Sequence, residues 1–279
     1  MCVIALSVFC TQNVMRGFVN LGNTCYFNTA LQCLLHIPVL SNYFLYLGYT
    51  GTCEFTKLYC SLVQFYWLSQ EKGSAHVIPL LEQFYVHFPR FKNRNQHDVQ
   101  EALLCIIDIL ERAQPQIKEW LYGKKVQETI WPGGKSTNEE DFSIHLVTSH
   151  GTDLGEMLKK SADWNIIEHF EDTNGKVYNL ATSRMIFSKL PQVLMISFDS
   201  KSHINVIENI LIGTYEYNLI ASAVHVGIQA DGHYVSFVKN GTQWYFINDD
   251  FVREATLPTT AGHYVLVYNL KTPSTECSP

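Results

Sequence analysis

The chain has 279 residues, 47% apolar and 16% charged, where an average soluble domain carries about 25% charged residues; it can bury a sizeable core, and the disordered and fibrous classes are excluded. Twenty Lys and Arg against 26 Asp and Glu leave a net charge of −6 with no basic run, so the electrostatic footprint of a nucleic-acid binder is missing. No apolar stretch approaches the roughly 18 residues of a spanning helix and nothing repeats at solenoid spacing, so one compact unit with no membrane and no nucleic-acid partner is expected.

Residues 3–10 (VIALSVFC) are apolar but lack the basic stretch that opens a secretion signal, and they read as a packed N-terminal segment. After Thr24 the apolar residues Phe27, Leu31, Leu34 and Leu35 fall on one helical stripe that ends before Pro38. Three- and four-residue spacing predicts further helices over 55–68, 77–88 and 99–110. Residues 131–141 (WPGGKSTNEED) collect Pro, Gly and acids and read as a loop or subdomain boundary. From residue 142 the period changes: FSIHLV, QVLMISF, EYNLIASAVHV, HYVSFVK, QWYFIN and HYVLVYNL are β-branched and aromatic runs separated by Gly, Asn, Asp or Pro, which predicts an antiparallel sheet. The fold class is therefore α+β, helices first and sheet second, with a seam between the layers where distant groups can meet. Eight cysteines (Cys2, Cys10, Cys25, Cys33, Cys53, Cys60, Cys105 and Cys277) include no CxxC pair. Reduced thiols in an intracellular setting, cytoplasmic or nuclear, are expected, with neither a zinc ribbon nor a disulfide scaffold.

Two stretches carry chemistry. Cys25 falls in the first turn of the helix after Thr24, where unpaired N–H groups and the positive end of the macrodipole favour thiolate over thiol. Asn20, Gly22 and Asn23 precede it in a donor-rich turn, and Asn20 can offer an amide N–H to an oxyanion. These residues read equally as a buried cysteine after a helix cap. In residues 231–250 (DGHYVSFVKNGTQWYFINDD), Asn240-Gly241 predicts a two-residue type I′ hairpin. That register sets Lys239 against Thr242, Phe237 against Trp244, Val235 against Phe246 and His233 against Asn248, so a carboxamide holds an imidazole as a general base requires. The same pair also reads as a satisfied polar contact at a strand end. Asp249 is expected on the opposite face unless a bulge intervenes, and serves as an auxiliary. His263, in a second Gly-His-Tyr triplet, has no such partner and reads as structural; Asn240-Gly241-Thr242 matches a glycosylation sequon by accident of the turn.

Residues 17–38 (GFVNLGNTCYFNTALQCLLHIP), 95–103 (NQHDVQEAL) and 231–252 (DGHYVSFVKNGTQWYFINDDFV) resemble, in this order, the Cys, Gln/Asp and His boxes of the ubiquitin-specific proteases. KLPQVLMISF and HYVLVY look like weaker family features, and the resemblance extends over about 17–270. It implies a papain-like fold, a helical thumb packed on a palm with reduced fingers, and a catalytic domain over 17–271 between an N-terminal segment 1–16 and a mobile polar tail 272–279. It implies a thiol-dependent deubiquitinase that hydrolyses the isopeptide bond at the C-terminal glycine of ubiquitin, acting as a monomer without a cofactor. Cys25 would be the nucleophile, His233 the base and then acid, Asn248 the third member and Asn20 the oxyanion residue. Asp98, with Gln96 and Glu101 nearby, would hold the Arg-Gly-Gly tail, and Tyr26, Gly232 and Tyr234 would line the diglycine channel. The two CxxC pairs that bind zinc at the finger tip in many members are absent, and the stretch 142–190 is short. This departure leaves open a different ubiquitin-like modifier, or a non-catalytic ubiquitin binder on the same fold.

Overall fold

The computed structural model describes residues 15–271 except 72, 76, 149–150, 200–202 and 229–230. The apolar run 3–10, the polar tail 272–279 and three of the cysteines lie outside the described residues; the five inside are free thiols.

Six helices come first: α1 (Cys25–Leu35), α2 (Pro38–Tyr46), α3 (Glu54–Leu68), α4 (Ile78–His87), α5 (Val99–Ala113) and α6 (Gln116–Leu121). Proline occupies the first turn of α2 and α4, where its missing N–H costs nothing. Asp98 caps α5, its Oδ1 accepting from the amides of Gln100 and Glu101. Every residue of α1 is buried, because this helix lies between α5 and the sheet. The first helix ends before Pro38, as its apolar stripe predicts, and Pro38 opens α2.

The remaining elements are β1 (Gly123–Trp131), β2 (Gly134–Phe142), β3 (Ile144–Val147), α7 (Leu154–Ala162), β4 (Asn165–Glu171), β5 (Val177–Lys189), β6 (Val193–Phe198), β7 (Ile204–Asn205), β8 (Asn209–Ile212), β9 (Tyr215–Ile228), β10 (Asp231–Asn240), β11 (Gln243–Asn248), β12 (Phe251–Ala255), β13 (Thr260–Ala261) and β14 (His263–Leu270). An eight-stranded sheet runs β12-β11-β10-β9-β14-β6-β3 with β8 paired to β9, a four-stranded sheet runs β2-β1-β5-β4, and β7 pairs with β13. All pairings between these strands are antiparallel except β3 with β6.

Both faces of the large sheet are covered. Val193, Met195, Ala221, Ala223, Tyr234 and Val265 pack on the helices, while the alternate residues Leu194, Ile196, Leu219, Val235 and Leu266 join a second core with Phe142, Leu154 and Met157. A strand buried on both sides favours a near-continuous apolar run, and β6 (VLMISF) is apolar at every position but Ser197.

Two expectations are corrected. Residues 131–141 are not a loop: they are the end of β1, a turn at 132–133 and nearly all of β2. Every residue of β2 but Phe142 is exposed, so the strand carries no apolar alternation; it is held by its ladder to β1 and by side-chain contacts such as Lys118–Asp141, Lys124–Glu139 and Ser188–Glu139. The β10–β11 hairpin is also in a different register: Asn240 pairs with Gln243, Lys239 with Trp244 and Phe237 with Phe246. The turn residues are Gly241 and Thr242, with Gly241 at φ 60°, the place a type II′ turn reserves for glycine. A two-residue slide keeps every side chain on its face, so His233 and Asn248 remain neighbours, now diagonal rather than opposite.

Candidate active site

The segment before α1 is shaped by close backbone contact. A Cβ on Gly17 would collide with the carbonyl of Asp249 and the backbone of Asp250, so only glycine lets this segment lie on the turn after β11; the amide of Phe18 then donates to the Asp249 carbonyl at 2.8 Å. Gly22 and Asn23 follow at φ 95° and 53°. Asn20 Oδ1 accepts from the amides of Gly22 (2.9 Å) and Thr24 (3.2 Å), which fixes its carboxamide. The chain then turns into α1 with Cys25 as the first helical residue. No side chain caps this helix and no acid sits in its first turn, so its positive end is left to the sulfur.

His233 reaches the sulfur of Cys25 from β10. Its Nε2–H donates to Asn248 Oδ1 at 2.6 Å. Its pKa is pushed up to about 9, first by the hydrogen bond to Cys25 and further by Asn248 and the negative charge of Cys25 and Asp249, against the opposing effect of burial. With Nε2 on Asn248, Nδ1 is the nitrogen left for the thiol. The side chain of Asp249 does not point away. β11 ends at Asn248, which pairs with Phe251 of β12, and Asp249 sits in the intervening turn at φ 51°. That left-handed residue brings its Oδ2 to 3.7 Å from His233 Nε2 and 2.8 Å from Asn20 Nδ2. Strand alternation stops applying once the strand has ended.

The remaining expected residues lie at the start of α5, on β10 and, for Tyr26, on α1. The two carboxylate oxygens of Asp98 are both engaged, Oδ1 as the helix cap and Oδ2 with the hydroxyl of Tyr234 at 3.2 Å. Gln96 Oε1 accepts from the amide of Gly232 at 3.1 Å, joining the two walls. Glu101 lies one turn along and is paired with Arg90 Nε at 2.7 Å. Tyr26 and Tyr234 are 1% and 4% exposed; Tyr26 stacks on Phe91, so both rings belong to the wall behind the site rather than to an open surface. His263 is buried between Ser222 Oγ and the Pro258 carbonyl. No group of His, Cys, Asp and Glu suited to a metal occurs among the described residues. Sequence reasoning missed Asn28, whose Nδ2 donates to Asp249 Oδ1 at 2.8 Å; the available signal was a carboxamide one turn after Cys25 in a mostly apolar helix.

Known proteins resemble this chain in sequence and in fold. Among curated relatives, ubiquitin carboxyl-terminal hydrolase 12 of Saccharomyces cerevisiae is 36% identical over 47% of this chain and 12% of its own length. Ubiquitin carboxyl-terminal hydrolase 25 of Arabidopsis thaliana is 26% identical over 91% of this chain and 47% of its own. Ubiquitin carboxyl-terminal hydrolase 17-like protein D of Mus musculus is 24% identical over 98% of this chain and 58% of its own. The chain thus spans less than two thirds of each of these relatives. The structure of the SAGA Ubp8/Sgf11/Sus1/Sgf73 DUB module bound to ubiquitin aldehyde shares the fold, with a TM-score of 0.80 at 18% identity over 92% of this chain and 70% of that one. Residues 16–268, which include α1, α5 and the β10–β11 hairpin, match the family described as ubiquitin carboxyl-terminal hydrolase, and the chain belongs to that family.

Proposed function

We propose that the chain is a thiol-dependent deubiquitinase whose catalytic unit spans residues 17–271. One observation carries the reading: the first residue of α1 and a histidine of β10 share a hydrogen bond, with the far side of the imidazole held by Asn248. The Cys25 thiolate attacks the carbonyl carbon of the C-terminal glycine of ubiquitin, and the tetrahedral oxyanion is met by Asn20 and backbone N–H groups. The carbon–nitrogen bond breaks as the His233 imidazolium gives its proton to the leaving lysine amine. Water, deprotonated by His233, then attacks the thioester, releasing the ubiquitin carboxylate and the free thiol. Asp98, Gln96 and Glu101 form the polar wall offered to the cationic tail, where a carboxylate already ordered by its own donors gives charge-assisted bonds to a guanidinium. Gly232, whose amide donates to Gln96, lets the His225 ring pack against its backbone where a Cβ would collide, and Tyr26 and Tyr234 back this wall. The relatives' names and the ubiquitin aldehyde in the SAGA structure support ubiquitin as the substrate, taken by a monomer in an intracellular setting.

A ubiquitin probe with a C-terminal electrophile tests this. Covalent labelling of the wild type, lost in Cys25→Ala, is the expected result. Labelling only by a probe built on another modifier would replace ubiquitin as the substrate, and tight binding without labelling would make the chain a ubiquitin binder.

A further inference from the structure

Asn28 has no part in the reaction as described, yet its surroundings are those of a working residue. It lies one turn after Cys25 on α1 and is 2% exposed. Its Nδ2 donates to Asp249 Oδ1 at 2.8 Å and to the Phe18 carbonyl at 3.2 Å, while its Oδ1 is buried with no hydrogen-bond partner among the described residues. Rotating the amide to relieve that oxygen would point it at a carboxylate and a carbonyl, acceptor against acceptor. The fold therefore tolerates an orphaned acceptor in order to keep the Asn28 donors where they are.

The beneficiary is Asp249. One of its oxygens is held by Asn28, the other by Asn20 Nδ2 at 2.8 Å; its backbone carbonyl is held by Phe18 and its φ is left-handed. Asn20 in turn has its Oδ1 tied to the Gly22 and Thr24 amides, and one Nδ2 hydrogen given to Asp249. Its second Nδ2 hydrogen then has a single direction. We propose that Asn28 is a positioning residue for acyl transfer: by anchoring Asp249 Oδ1 it keeps Asp249 Oδ2 on Asn20, and so aims the remaining N–H of Asn20 at the oxyanion. The inference rests on the deubiquitinase reading. Without Asn28, the Asp249 carboxylate can turn toward His233 Nε2, already 3.7 Å away, and Asn20 loses its alignment.

The test compares the wild type with Asn28→Ala, Asn28→Ser, Asn20→Ala and the Asn20→Ala/Asn28→Ala double variant on ubiquitin carrying a C-terminal fluorogenic amide. Removing one oxyanion donor outright lowers kcat by roughly 10²–10³-fold, and a donor left in place but unaimed should cost less. The expectation is a fall in kcat of about tenfold to a hundredfold for both Asn28 variants, KM within about twofold, and a double variant no slower than Asn20→Ala. Alkylation of Cys25 by iodoacetamide, a displacement of iodide that forms no oxyanion, should not slow in step with kcat in any variant. Unchanged kcat, losses that multiply in the double variant, alkylation that slows in step with kcat, or failure of both Asn28 variants to fold would each overturn the proposal. A wild type that leaves the substrate intact would instead overturn the deubiquitinase reading itself.

Discussion

Held between the sulfur of Cys25 and Oδ1 of Asn248, the imidazole of His233 stays protonated to about pH 9, well above its ordinary value near 6.5. The leading cause is the hydrogen bond with Cys25. The leaving amine needs the imidazolium proton, which sets the sign of the alkaline limb: turnover falls as pH rises through about 9. In Cys25→Ala the largest raising influence is gone while burial, which lowers the value, remains. The His233 ring resonances of that variant should therefore titrate well below 9 in an NMR pH series. A midpoint still near 9 would mean that Asn248 and Asp249 set the value and that the sulfur contributes little.

At the scale of elements, the four-stranded sheet β2-β1-β5-β4 is separate from the large one. Its outer end is closed by rings: Trp131 of β1 lies 5.0 Å from Phe170 of β4 and 6.4 Å from Tyr178 of β5, and Lys176 caps the Tyr178 ring at 5.0 Å. Such pairs contribute about 0.5–1.5 kcal/mol each beyond the area they bury. Trp131→Ala should open this end locally, raising the rate of limited proteolysis at 132–133 and 172–176 by about tenfold while activity on a small ester is retained; a chelator should not mimic it. Equal proteolysis of variant and wild type would show that the sheet holds without this ring. This sheet was also the least legible part of the sequence, because β2 buries only Phe142 and an exposed strand has no period to read. The boxes were legible for the opposite reason: the first turn of α1, the cap of α5 and the hairpin of β10 are local devices fixed by residue type. What escaped was whatever depends on a distant partner or on a turn, namely the true hairpin register, the return of Asp249 toward the site, and Asn28, whose partner lies 221 residues away.

Taken whole, the molecule is two cores on either side of one sheet, and each core encloses histidines that must stay neutral. His36, His145 and His263 are all pushed down to about 4, chiefly by burial. The unfolded chain binds protons on these rings near pH 6.5 while the folded chain does not, so stability is lost as pH falls from about 6.5 toward 4. His36 and His263 offset part of the cost of burial through hydrogen bonds to Gln32, Ser222 and Pro258. His145 does not: it is 1% exposed, both ring nitrogens lack partners among the described residues, Lys125 adds positive charge nearby, and its ring sits 5.9 Å from Phe142 and 4.8 Å from Phe187. An apolar ring of similar shape suits that position better. His145→Phe removes the titration, which is worth about 2 kcal/mol at pH 5 for a shift of this size and close to nothing at pH 8. Urea unfolding of the two proteins should then show the variant gaining about 2 kcal/mol more at pH 5 than at pH 8. An advantage independent of pH would place the gain in packing alone, and no advantage at pH 5 would mean that the folded protein already accommodates a charged His145.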